Sequence, residues 1–241
     1  MPLYKFLEEQ HLESFFDKGC LRLGTIYDFK DIVTHSLGRG DSKEGRRQIN
    51  RDVTENLYLN SSSNENVISD SLEVTGNGSV NITNSTFYVI RNSPNAFIFC
   101  SSNAYSNELF KKWNEHHNEI NACYEISDPN GFLREISNAI KNSANFITCK
   151  DIVYSTDPIP YNHHSSSVLP MFVKEITQYE WQLENRAVWY PKEPSPQLKP
   201  WIIFAPEARK YCRPFSKLVG NTVSFFDQLL KSSRNNNKRK C

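Results

Sequence analysis

Apolar positions along the chain fall into short runs whose spacing switches between two and three to four residues, the mark of mixed strand and helix. Residues 2–6 open with a strand-like Pro-Leu-Tyr-Lys-Phe. His11 to Lys18 then sets Leu12, Phe15 and Phe16 at helical spacing, and Gly19 ends the turn. Leu21 to Phe29 predicts a second strand. Ala96 to Cys100 and Phe87 to Ile90 read as buried strands, and Leu72, Val74, Val80 and Ile82 alternate around Gly76-Asn77-Gly78 as a β-hairpin. Ser106 to Glu119 and Pro129 to Lys141 predict amphipathic helices, the first on Leu109, Phe110 and Trp113, the second on Phe132, Ile136 and Ile140. Further strands are expected at Ala122 to Ile126 and Phe146 to Tyr154, and a final pair at Met171 to Val173 and Glu180 to Tyr190. Prolines break the chain at 191, 194, 196 and 200, and Phe225 to Leu230 suggests a short closing helix.

This order predicts an α+β fold. One domain is expected over residues 1–233, with a polar, Asn/Ser-rich insertion at about 56–84 and a frayed basic tail at 234–241. No internal repeat of solenoid period occurs. The 38% hydrophobic and 12% aromatic content of the 241 residues is enough to fill an interior, because each aromatic buries a large area.

Charge narrows the functional classes. Twenty-eight basic against 27 acidic residues leave a net +1, so no global field draws the chain to nucleic acid or membrane, and any such binding must come from local patches. The cluster Arg46, Arg47 and Arg51, together with the tail, could follow a nucleic-acid backbone; solvated surface charge is the plainer reading. Six dispersed cysteines without a Cys-x-x-Cys pair fit free thiols in a reducing compartment. With no leader-like opening and no apolar run of spanning length, a cytoplasmic, non-membrane protein is expected, and the Asn-x-Ser/Thr triplets at Asn60, Asn77, Asn81 and Asn84 are read as composition alone. The adjacent pairs His116-His117 and His163-His164 point apart on a regular element, so no metal is expected. Neither a Walker nor a Gly-x-Gly-x-x-Gly sequence occurs.

The sharpest chemical signal is Gln182-Leu183-Glu184-Asn185-Arg186. If extended, this segment turns Gln182, Glu184 and Arg186 to one side and Leu183, Asn185, Ala187 and Trp189 to the other. A carboxylate between an amide and a guanidinium can act on a cation; an ordinary ion pair on a half-exposed strand gives the same pattern.

The opening Leu3-Tyr4-Lys5 strand, the helix, Gly19-x-Leu21 and the late Gln182-x-Glu184 together resemble the ADP-ribosyltransferase fold, with Phe99-Cys100-Ser101-Ser102 as its middle strand. From Leu3 to about Trp189 the chain also resembles a set of bacterial proteins of unassigned activity that share Leu-Arg-x-Gly-Thr, Gly-Asp-x-x-Glu-Gly, Phe-x-Phe-Cys-x-Ser and Gln-x-Glu-x-Arg. The resemblance implies a split β-sheet core with flanking helices and the inserted hairpin. It implies NAD as substrate with no metal, Glu184 as the catalytic carboxylate and Gln182 orienting the acceptor. Tyr4, Lys5, Ser101 and Ser102 would line the dinucleotide pocket. Position 5 departs from the family's more usual His or Arg, and Arg22 or Arg39 is the candidate to take over a phosphate contact. Tyr27 is a candidate to stack on nicotinamide, or an ordinary rim tyrosine. Arg39, Asp41 and Glu44, in the loop Gly38 to Gly45, form either a second acidic site or an ordering turn.

The leading expectation is an NAD-dependent ADP-ribosyltransferase, a bacterial toxin or anti-phage effector, with RNA or DNA preferred over protein as acceptor and an antitoxin as a further partner. A non-catalytic nucleic-acid or protein interaction module is the alternative from another class, and an NAD glycohydrolase, which uses water as acceptor, is the third reading.

Overall fold

The computed structural model describes residues 1–30, 40–65, 67–69, 71–193, 195, 197–220 and 222–226. In chain order they form β1 (Leu3–Leu7), α1 (Glu9–Lys18), β2 (Cys20–Thr25), β3 (Arg46–Val53), β4 (Leu57–Asn60), β5 (Ser79–Ile82), β6 (Ser85–Asn92) and β7 (Phe97–Ser102). Then come α2 (Asn107–His116), β8 (Ala122–Ile126), α3 (Pro129–Ile140), β9 (Ala144–Asp151), β10 (Val153–Ser155) and β11 (Ile159–Pro160). The last are β12 (Val173–Glu175), α4 (Ile176–Tyr179), β13 (Glu184–Pro191), β14 (Trp201–Phe204), β15 (Cys212–Val219) and β16 (Thr222–Phe225). The fold is mixed α and β, of the α+β kind. Among the described residues no helix is long and apolar enough to cross a membrane. The chain divides into two compact units, Met1–Ser42 with Asn95–Ile152 and Trp181–Cys241, and Lys43–Pro94 with Val153–Glu180.

The first unit is built on a nine-stranded antiparallel sheet in the order β14-β2-β7-β1-β8-β15-β16, with β13 on β7 and β9 on β13. β7 is its branch point. One of its edges carries β13 over six pairs, from Glu184↔Ser102 to Trp189↔Phe97. Its other edge is divided: β2 pairs at Gly24↔Ile98 and Thr25↔Phe97, while β1 pairs at Tyr4↔Ser102. The two strands diverge between these points, and the Lys5 ammonium reaches across to donate to the Cys100 carbonyl at 2.7 Å.

Both faces of this sheet are covered by apolar side chains. On one, α1 and α3 bring Leu12, Phe15, Phe132 and Ile136 against Leu3, Tyr124, Phe99 and Trp189. On the other, Leu109 and Phe110 of α2 meet Phe6, Cys123 and Ile120. The helices start where short polar side chains satisfy first-turn amides: Ser106 accepts from Leu109 N and Asp128 from Gly131 N, with Pro129 filling the first position. α1 ends on Gly19, whose φ of +76° lets its amide close onto the Phe15 carbonyl at 2.7 Å. A Cβ there would lie 2.5 Å from Pro206 Cα. Gly19→Ala is therefore expected to lower stability by about 2 kcal/mol or more, read as a reduced urea midpoint.

The second unit holds a three-stranded sheet, β11-β3-β6, the ladder β4-β5 and the parallel pair β10-β12. The hairpin expected around Gly76-Asn77-Gly78 takes a different form here. β5 pairs with β4, as Leu59↔Val80 and Leu57↔Ile82, and Leu72 and Val74 lie outside any strand. Burial decides this, since Leu59 and Ile82 close a small core with Val53 and Ile68. Residues 87–90, expected to be a buried strand, are part of β6, a strand of alternating exposure on which Tyr88 is 63% exposed. The expected pairing of Met171–Val173 with the 180–190 segment is not formed: Val173–Glu175 pairs with β10. β14 and β15 have no counterpart in the sequence reading.

Candidate active site

The register of the first unit puts three expected site residues in one row. Tyr4 lies opposite Ser102, and Ser102 opposite Glu184. Residues directly opposite in adjacent strands project to the same side of a sheet, so the three side chains share one face, with the Tyr4 and Glu184 backbones about 10 Å apart. The row continues outward through Glu125, opposite Tyr4, and Arg213, opposite Glu125. Arg213 Nη2 donates to Glu125 Oε2 at 2.8 Å. Neither Glu125 nor Arg213 was singled out by sequence reasoning, because only the strand order brings them near Tyr4.

Glu184 is buried. Its Oε1 accepts from Arg186 Nε at 2.8 Å, and the two side chains retain 6% and 1% of their exposure. This is the same-face pairing expected for alternate strand positions. Gln182 departs from that expectation. It ends a 3-10 turn, Glu180–Gln182, and Leu183 has φ +48°, so the strand begins only at Glu184 and its periodicity does not reach Gln182. Gln182 is nevertheless buried, and its carbonyl accepts from Ser102 Oγ at 2.8 Å, fixing the turn to the middle strand. The Tyr4 phenol is pushed up, first by burial and then by the Glu125 carboxylate.

The other pocket residues implied by the resemblance are divided. Ser101 alternates to the face opposite Ser102, opposite Asn185. There Asn185 Nδ2 and Asn103 Nδ2 both donate to Asp151 Oδ1, at 2.7 and 2.9 Å, and the Cys149 thiol donates to Asn185 Oδ1 at 2.8 Å. Lys5 also alternates away from Tyr4; its ammonium lies 4.9 Å from the Phe99 ring centre. Arg22 is ion-paired to Asp28 at 2.6 Å. Tyr27 is 39% exposed with the Lys30 ammonium 4.4 Å above its ring. Asp41 and Glu44 are both buried, and Arg39 lies outside the described residues, as does the basic tail.

Beside the Gln182–Leu183 turn a groove of about 220 Å³ runs between Tyr105, Leu109, Lys112, Trp181 and Leu183. One side of the Trp181 ring is met by His116, stacked at 4.9 Å, and Lys112 Nζ stands 4.9 Å from the ring centre. His117 sits instead against Trp113, and the His163 and His164 rings are 4.2 Å apart. Among the described residues no group of three His, Cys, Asp or Glu side chains could hold a metal ion.

Burial, with a smaller contribution from Asp151, pushes the Cys149 thiol up to about 11. The protonated thiol is the form the fold favours. Its stabilising contribution is full below the ordinary value of 9.0 and is lost as pH climbs toward 11. Native Cys149 is thus expected to resist alkylation at about pH 8, where its thiolate fraction is on the order of 0.1%, and to react at the ordinary thiol rate once unfolded. Peptide mapping after alkylation checks both. No protein-family model matches the chain, and neither a curated protein nor a solved structure is significantly similar to it.

Proposed function

We propose that this chain is an NAD-dependent ADP-ribosyltransferase acting in the cytoplasm as a bacterial toxin or anti-phage effector, with RNA or DNA as acceptor. The observation that carries the reading is the direct register Tyr4–Ser102–Glu184 beside the divided edge of β7. In the reaction the bond between ribose C1′ and the nicotinamide nitrogen breaks, and its electron pair leaves with nicotinamide. The ribose is left as an oxocarbenium-like cation, and a nucleophilic atom of the acceptor then bonds C1′ and loses its proton to solvent. Glu184 would supply the negative charge that this cation needs, in a buried setting where water screens little. Arg186 offsets the cost of burying that charge before substrate arrives. Tyr4 and Ser102 would flank the ribose from the neighbouring strands.

The same ion pair supports a second reading, a non-catalytic interaction module in which Glu184 and Arg186 simply neutralise each other along β13. Incubation with NAD labelled in its adenylate half, with total RNA, single-stranded DNA and lysate protein in separate reactions, decides between them. Nicotinamide release with label on nucleic acid is expected. Label found only as free ADP-ribose would indicate a glycohydrolase, and no nicotinamide release with any acceptor would leave the interaction module standing.

A further inference from the structure

Sheet edges expose unpaired backbone groups, and proteins that stay monomeric guard them with bulges, charges, prolines or brevity. The first unit guards its edges in these ways. β9 carries an irregularity opposite Val188 and Trp189 and ends in Lys150 and Asp151. β14 and β16 are four residues each, and β14 lies between Pro200 and Pro206. β6 in the second unit is followed by Pro94 but has no bulge and no proline of its own. It runs eight residues, Ser-Thr-Phe-Tyr-Val-Ile-Arg-Asn, in an unbroken register with β3, and among the described residues it is the terminal strand of its sheet. Its one charge, Arg91, is turned away and donates to the Ser166 carbonyl at 2.9 Å. Its outer face carries Thr86, Tyr88, Ile90 and Asn92, with Tyr88 63% and Ile90 44% exposed.

We propose that β6 is a dimerisation edge that pairs antiparallel with β6 of a second copy of this chain. A two-fold axis at Val89 makes the strand self-complementary. It places Tyr88 opposite the second copy's Ile90 and Thr86 opposite its Asn92, with each pair formed twice. Aromatic–β-branched pairs across an antiparallel ladder are favourable, and the uncharged outer face brings no like charges together. Four half-exposed apolar side chains leave water, and two continuous three-stranded sheets join into one of six. The interface is small, so association in the micromolar range is expected.

Sedimentation equilibrium of the full chain over about 1 to 100 μM tests this. The average mass is expected to rise from 27.9 kDa toward twice that value. Ile90→Lys, which adds the charge that guarded edges carry, is expected to hold the mass at 27.9 kDa at every concentration with an unchanged circular dichroism spectrum. Tyr88→Lys, at the facing position, does the same and serves if the first variant misfolds. Ile202→Lys, an equally exposed apolar position on β14, is expected to associate as the native chain does. A native chain of constant mass, lysine variants that still associate, or an Ile202 variant that loses association equally would each overturn the proposal.

Discussion

Arg186→Leu is expected to destabilise the protein by about 3–5 kcal/mol, because it leaves the Glu184 carboxylate buried without its guanidinium partner. The geometry makes the loss large. Arg186 is 1% exposed on the central β13, so no water replaces the lost hydrogen bond and the surrounding sheet cannot open to admit it. The double variant Glu184→Leu, Arg186→Leu is expected to recover most of the loss, since two apolar side chains of similar length remove the buried charge together with its partner. Urea titrations of the single and double variants measure both, and a double variant no more stable than the single one would show that the pair is not the dominant interaction at either position.

The second large effect is on the proposed catalysis. Glu184→Gln is expected to reduce NAD turnover by at least about 10² to 10³-fold, the scale on which loss of one preorganised electrostatic contact to a transition state is felt. Glutamine keeps an oxygen in place to accept from Arg186 Nε but leaves the buried guanidinium without its counter-charge, so a lowered urea midpoint is expected as well, and turnover is compared where circular dichroism shows the variant folded. A folded Glu184→Gln protein with undiminished nicotinamide release would remove the carboxylate from the mechanism. Retained activity is the outcome expected if another group stabilises the ribose cation.

Some of this architecture was legible in the sequence. α1 and α3 were, because Leu12 with Phe15 and Phe132 with Ile136 recur at helical spacing, Gly19 ends the first and Pro129 opens the second. β7 was legible as a short apolar run ending in serines. β15 was not, since Pro214 sits inside it and the strand accommodates this by an irregularity between Pro214 and Ser216. The start of β13 was missed for a similar local reason: leucine rarely adopts positive φ, and nothing in the residue type at 183 announces the break that separates Gln182 from Glu184.

The candidate site was legible only in part. Glu184 with Arg186 follows from alternation along one strand, which a sequence displays directly. The division of Ser101 from Ser102 and of Tyr4 from Lys5 follows from the same alternation, but a pocket imagined from neighbouring letters merges them. Glu125 and Arg213 are 88 positions apart and meet only because β15 pairs with β8. Such long-range pairing is set by the whole sheet and has no local signature.

The strand that delivers the carboxylate is made late. Residues 97–102 emerge from the ribosome without the neighbour that completes their longer edge, and that neighbour arrives only after some eighty further residues have been added. A nascent or prematurely terminated polypeptide ending before position 184 holds the tyrosine and the serine but lacks the acid. On the proposed reading, the order of synthesis therefore delays activity until position 184 has been added.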